Sequence, residues 1–349
     1  MKANFIKTPP VRPREIESLQ AARAIAALLV VVCHASAFIG EEPGLWQRTA
    51  VYLWLRGTAL GVQLFFVISG IVIFRAHRND LGHAQKAASF CWKRFRRVYP
   101  LYWICLSLTL LRHHAATGHD GAYMHASSVI VSSYLLVHLF SYQTIMVQAW
   151  TLFDEVQFYL IFAIWIVHRR LGFAALGLWL AASLLFIAPS SAYWSVVFSP
   201  YHLLFGLGIL VALALEVRRP MPSGWIFWLG IVVFVVSVIM EGPLQWGAPL
   251  RLFAGLGAAC ALLGAILLER RGRLKVPRWL ARLGDASYSI YLVHFMVLSA
   301  FARFAFVHLR QTPIPIAGWI ALLVLAGVFS GLAVYYAVER PLLRWMGKR

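Results

Sequence analysis

The chain has 349 residues, of which 61% are hydrophobic and 13% charged, where soluble domains carry about 25% charged residues, so lipid is its main solvent. The net charge of +19 does not describe a nucleic-acid binder, because the basic residues stand in short segments between apolar runs with no aromatic interleaving. Cys33, Cys91, Cys105 and Cys260 are dispersed without a CxxC spacing and support neither a disulfide framework nor a zinc site.

The first segment carries Lys2, Lys7, Arg12 and Arg14 ahead of the apolar run 24–33, and Ala35-Ser36-Ala37 mimics a signal-peptidase site. The rest of the chain is as hydrophobic, so the run reads as a retained first span. Hydropathy then predicts helices over 19–39, 51–74, 98–112, 150–167, 172–188, 200–217, 224–240, 250–268, 284–306 and 316–338. The weaker stretch 126–142, rich in serine, reads as interfacial or re-entrant. Charge parity supports that choice. With 126–142 not spanning, basic groups at the N-terminus, Arg75–Arg97, Arg169/Arg170, Arg218/Arg219, Arg270–Arg282 and Arg340–Arg349 all fall inside. Only Arg48, Arg112, Arg251 and Arg310 are then left outside. The expected fold is an all-α integral membrane bundle of about ten transmembrane helices with both termini cytoplasmic. A tail (1–18), one membrane domain (19–338) and a second tail (339–349) make up the chain.

Ionisable side chains cost several kcal/mol within a bilayer, so each one there is a functional candidate. Arg23 and His34 lie eleven steps apart, within about 20° of one helix face and about 16 Å along its axis. The bland alternative is a snorkelling arginine and a hydrogen-bonded interior histidine. Glu155, about five residues into its own helix, shares the expected depth of His34, as a histidine–carboxylate pair for base catalysis requires. Its alternative is a structural pair near the interface, a role that suits Asp154 better. Tyr288, Tyr291 and His294 fall three apart on one face, a polar stripe that lines a cavity or only knits helices. Arg94, Arg96 and Arg97 suit phosphate capture, although such clusters more often anchor topology. Phe65-Phe66-Val67-Ile68-Ser69-Gly70 ends the second helix on the same side, its small residues allowing close approach. The loop with His113, His114, His119, Asp120 and His125 fits no tetrahedral spacing, and no metal is expected. The Gly206/Gly208 and Gly255/Gly257 pairs sit within helices as packing glycines, and no Gly-x-Ser-x-Gly or Walker sequence occurs.

These residues together resemble the acyltransferase-3 family of membrane acyltransferases, which includes exopolysaccharide and lipopolysaccharide O-acetyltransferases. The resemblance runs from Arg23 to about Pro341. It is carried by Arg-x10-His (Arg23, His34), Phe-Phe-x-x-Ser-Gly (Phe65–Gly70) and Arg-x-x-Arg-Val-x-Pro (Arg94, Arg97, Val98, Pro100). Trp-Thr-Leu-x-x-Glu-x-x-Phe-Tyr (Trp150–Tyr159), Ser-Tyr-x-x-Tyr-x-x-His (Ser287–His294) and Glu339-Arg340-Pro341 follow in order. Before Arg23 the chain reads Leu-Gln-Ala-Ala, where many members have Leu-Asp-Gly-Leu.

The resemblance implies an inner-membrane O-acyltransferase moving an acyl group, acetyl foremost, from acyl-CoA to a hydroxyl of a cell-surface or exported carbohydrate. Acyl-CoA is then a co-substrate, with no permanently bound cofactor. It makes His34 the catalytic histidine, and Arg23, Arg94 and Arg97 donor-site residues. Ser69 joins the donor group, Glu155 is expected to orient His34, and Trp150, Tyr288, Tyr291 and His294 are expected to line the cavity. His34 would act as general base or through an acyl-histidine. The expected partners are a carbohydrate or lipid-linked glycan, acyl-CoA and membrane lipid, with any partner for acceptor choice a separate protein. A secondary transporter or flippase for a lipid-linked sugar is the rival reading, but neither inverted repeats nor matched broken helices appear. A purely structural membrane subunit would leave the shared depth of His34 and Glu155 without a reason.

Overall fold

The computed structural model describes residues 16–40, 50–115, 124, 126–138, 143–185, 192–217, 219–244, 247–309 and 312–347. The basic N-terminal group, Arg48, Arg218, Arg310, Lys348, Arg349 and the loop residues His119, Asp120 and His125 lie outside them. Among the described residues every regular element is helical.

Helix α1 (Glu17–Gly40) runs through the middle of the bundle. Ala24, Ala26, Ala27 and Ala35 are fully buried around its circumference, and such small side chains let other helices approach from several sides. A short α2 (Ala50–Arg56), a 3-10 turn and α3 (Gly61–His77) form the next passage. Then come α4 (Ala87–Ala115) with Pro100 inside it, α5 (Ser127–Leu135), α6 (Trp150–Val167) and α7 (Arg169–Leu185). Helices α8 (Ala192–Val197), α9 (His202–Ala214), α10 (Ser223–Leu244) and α11 (Ala248–Arg270) follow. The C-terminal part holds α12 (Arg278–Asp285), α13 (Ser287–Leu309), α14 (Ile316–Val334) and α15 (Arg340–Met346). Helix α1 packs on α3, α12, α13 and α14, while α10 pairs with α11, α13 with α14, and α3 with α9. The α3–α9 crossing is glycine on glycine. A Cβ on Gly70 would strike the Phe205 carbonyl and come within 3.0 Å of the Gly208 Cα.

Among the described residues seven helical stretches are long and apolar enough to cross a bilayer: Glu17–Ile39, Leu53–Asp80, Val147–Val167, Ser223–Gly242, Ala248–Arg270, Ser287–Ala305 and Ile316–Met346. Large apolar side chains such as Phe173, Leu178, Leu185, Trp225 and Phe329 face outward. This is a multi-pass membrane protein. The three other expected spans, 98–112, 172–188 and 200–217, overlap α4, α7 and α9, and residues 186–188 lie outside the described ones. Helix α4 is charged along its first half, α7 has 17 residues, and α9 has 13, the last rising only about 20 Å. Helix α5, with nine residues, rises about 14 Å, well short of the roughly 30 Å hydrocarbon core.

Between α14 and α15 the chain makes a π-helical turn, Tyr335–Glu339. Pro341 has no N–H to return to the preceding turn, and a π-turn is one way a helix absorbs that loss. Glu339 is therefore carried inside a continuous helical passage and is buried, whereas the sequence reading puts it in a tail.

Candidate active site

One cavity of about 130 Å³ lies toward the start of α1. Arg23 from α1, Ser69 from α3, Arg94 and Arg97 from α4, Glu155 and Tyr159 from α6, and Tyr288 and Tyr291 from α13 line it. Glu155 accepts hydrogen bonds from Ser69 Oγ at 3.0 Å and from the Tyr159 hydroxyl. The Arg94 guanidinium lies 5.8 Å from the centre of the Tyr159 ring and 5.9 Å from that of Phe90. Arg97 is held from behind by Glu339, which also accepts from Ser289 Oγ. The Tyr288 hydroxyl donates to the Val98 carbonyl at 2.6 Å, fixing α13 against the arginine-bearing helix. Three lining arginines stand against the lining carboxylate of Glu155 and against Glu339, which pairs with Arg97, and this leaves a formal excess of one positive charge. Such a wall selects an anionic ligand.

A second cavity, of about 410 Å³, lies further along α1. His34, Gln63, Gln148, Trp150, Tyr201, Glu241, Arg251 and Tyr291 line it, and Val62 and Tyr291 belong to both walls. The cavities therefore adjoin at Tyr291. That ring is fixed: its hydroxyl donates to the Gln148 carbonyl at 2.8 Å and lies 2.7 Å from Thr151 Oγ1.

His34 Nδ1 lies 2.9 Å from His294 Nε2, and His294 Nδ1 lies 3.2 Å from the Ile290 carbonyl. A carbonyl only accepts, so His294 carries its proton on Nδ1, and in the neutral ring its Nε2 must accept. His34 consequently donates from Nδ1. Its Nε2 is left with the free lone pair, on a residue that lines the larger cavity. A nitrogen so disposed can take a proton from a hydroxyl.

Residues 16–336 match a family profile described as an acyltransferase domain. The chain belongs to the acyltransferase-3 family. It is thus a membrane acyltransferase. It is 27% identical to the acyltransferase MdmB of Streptomyces mycarofaciens, over 97% of this chain and 95% of that protein. It is 28% identical to the exopolysaccharide production protein ExoZ of Rhizobium meliloti, over 82% of this chain and 90% of that protein. With the peptidoglycan O-acetyltransferase OatA of Listeria monocytogenes the identity is 22%, over 81% of this chain and 49% of that protein. No solved structure matches the chain.

The acyltransferase gathers Arg23, Ser69, Arg94 and Arg97 on one wall, together with Glu155 and Tyr288. It does not pair His34 with Glu155. The equal-depth expectation takes Trp150 as the outer end of α6, but the chain is already inside the bundle there. Ile145, Met146, Gln148 and Ala149 are all buried, and Gln148 and Trp150 stand level with His34 on the wall of its cavity. Glu155 comes five residues later, about 7.5 Å further along the axis, and so reaches the arginine-lined cavity. His294 is also corrected. It is fully buried and lines neither cavity, and it is bonded to His34 instead. Trp150 lines the larger cavity, Tyr288 the smaller, and Tyr291 both.

Sequence reasoning missed Gln63, Gln148 and Glu241. The rule that singles out intramembrane carboxylates would have found Glu241 within Ser223–Gly242. It also missed a buried chain from Ser183 Oγ to His202 Nδ1 (3.0 Å) and from His202 Nε2 to Asp154 Oδ1 (3.2 Å). All three residues are buried and the His202 ring stacks on Trp179. This chain ties α6, α7 and α9 together, and Asp154 is a structural partner within it.

Proposed function

We propose that the enzyme transfers an acyl group, acetyl foremost, from acyl-CoA to a hydroxyl of a cell-surface or exported carbohydrate, in the inner membrane. The observation that carries this reading is the meeting, at Tyr291, of an arginine-lined cavity with one lined by an oriented histidine. The names of ExoZ and OatA, an exopolysaccharide production protein and a peptidoglycan O-acetyltransferase, support the acceptor class.

In this reading the ten-helix topology holds, and the arginine end faces the cytoplasm, where acyl-CoA is made. Ligand pockets for drug-sized molecules run to roughly 300–1,000 Å³. A space of about 130 Å³ takes a narrow arm, so the nucleotide stays at the mouth with its phosphates on Arg94 and Arg97. Arg23 stands deeper, and the pantetheine passes it to bring the thioester to Tyr291. From the other side a sugar hydroxyl meets His34 Nε2. His34 takes the hydroxyl proton as the oxygen attacks the thioester carbonyl. The carbon–sulfur bond breaks, and the imidazolium returns the proton to the departing CoA thiolate. The products are an ester and free CoA. His294, through its Nε2 lone pair, steadies the imidazolium as an aspartate does in a serine hydrolase triad.

The test supplies purified enzyme in nanodiscs with radiolabelled acyl-CoAs of different chain length and the host's glycan fraction. Label is expected on the glycan as an alkali-labile ester, with acetyl preferred. No labelled glycan from any acyl-CoA would defeat the reading.

A further inference from the structure

The larger cavity contains acceptor atoms with nothing to accept. Glu241 Oε2 and Gln63 Oε1 are buried, and both lack a hydrogen-bond partner. Their residues, 7% and 2% exposed, line the cavity with His34. A buried carboxylate oxygen without a donor costs several kcal/mol, and a ligand that supplies donors recovers it. The other carboxylate oxygen of Glu241 is held by Arg251 Nε at 3.5 Å, and Arg251 Nη1 donates to the Tyr201 hydroxyl at 2.7 Å. One side of the carboxylate is thereby held by a cation that is itself bonded to Tyr201.

We propose that Glu241 and Gln63 form the acceptor subsite, each accepting a hydrogen bond from a hydroxyl of an uncharged sugar residue held beside His34. This deepens the glycan reading above and rests on it. Charge favours an uncharged sugar. The wall carries one carboxylate and one guanidinium that answer each other, so no positive excess is left to hold a uronate or a phosphate, in contrast to the arginine-lined cavity. Shape favours a sugar as well. Trp150 and Tyr201 present two rings, 4.9 Å apart at their centres and inclined at 48°, that offer apolar surface to the C–H face of a pyranose, while the amide and carboxylate meet its hydroxyls. Beyond Tyr201 and Arg251 a further cavity of about 260 Å³ shares both residues. A longer glycan thus has room next to the reacting sugar, on the far side of Tyr201 and Arg251.

The experiment compares wild type, Glu241→Gln and Gln63→Met in nanodiscs, with the host glycan fraction de-acylated by mild alkali as probe. Donor KM, acceptor KM and glycan binding without donor, read by tryptophan fluorescence, are measured on each. Glu241→Gln is expected to raise the acceptor KM about tenfold or more and to weaken glycan binding equally. Donor KM should stay at its wild-type value, which also shows that the variant is folded; Gln63→Met should do the same to a smaller degree. If wild type acylates the glycan and both variants keep its acceptor KM and glycan affinity, the subsite is overturned while the proposed function stands. If wild type transfers nothing to the glycan yet binds it through Glu241, the function reading fails and the subsite survives. Absence of both transfer and binding overturns both.

Discussion

Replacing His294 with Leu tests the tautomer argument directly. The change keeps roughly the volume of the imidazole in a fully buried position but removes the acceptor for His34 Nδ1–H. In the resting enzyme that leaves a donor unmatched, which costs about 1–3 kcal/mol. During transfer His34 becomes an imidazolium, and a hydrogen bond to a charged group contributes about 1.5–3 kcal/mol. Only the difference between the charged and the neutral hydrogen bond, about 1–1.5 kcal/mol, raises the barrier, so at 1.36 kcal/mol per decade kcat should fall by roughly 5- to 13-fold. Donor KM should hold, because His294 does not line the arginine-lined cavity. His294→Gln, which offers a carbonyl oxygen to the same proton, should recover part of the loss. Transfer from radiolabelled acetyl-CoA to the glycan fraction, measured per folded molecule, gives both constants. A His294→Leu enzyme with wild-type kcat would refute the assigned tautomer. A Glu155→Gln enzyme that loses kcat at unchanged donor KM would return Glu155 to the role of orienting His34.

Arg94→Ala should raise donor KM with kcat nearly kept, because phosphate contacts at the mouth are equal in ground and transition states; unchanged donor KM would make Arg94 a topology anchor. The single variant is preferred because Arg97→Ala would also strand the buried Glu339. Glu339→Ala should lower stability by about 3–5 kcal/mol, as breaking one side of a buried pair does, and an unchanged melting temperature in nanodiscs would refute that. Reporter fusions after residues 85, 170 and 275 should read cytoplasmic, and those after 120, 194 and 245 external. An external reading at 275 with a cytoplasmic one at 245 would reverse the enzyme in the membrane.

The helical, lipid-facing character was legible because it depends on local hydropathy. Each of the ten apolar runs overlaps a helix among the described residues, and seven of those helices are long and apolar enough to span. The arginine-lined wall was legible for a related reason: Arg23 stands out within an apolar run, and Arg94 and Arg97 stand out as a cluster at the head of one. Depth was less so. The place of Glu155 depends on the turn ahead of α6, where the buried Ile145, Met146, Gln148 and Ala149 carry no hydropathic mark of lying inside the bundle. The 288–291–294 stripe was visible on α13, but its neighbour was not. Only the packing of α13 on α1 turns His294 toward His34 and Tyr288 toward α4. Glu339 was seen as part of a motif and assigned to a tail, because the π-turn that keeps it inside has no hydropathic signature.

The most direct measurement of the central claim is single-turnover transfer by His34→Ala enzyme that is folded and still binds acyl-CoA. If the His34 Nε2 lone pair takes the hydroxyl proton, the glycan should gain no label above an enzyme-free control. Labelling of the glycan at near the wild-type rate would contradict the account.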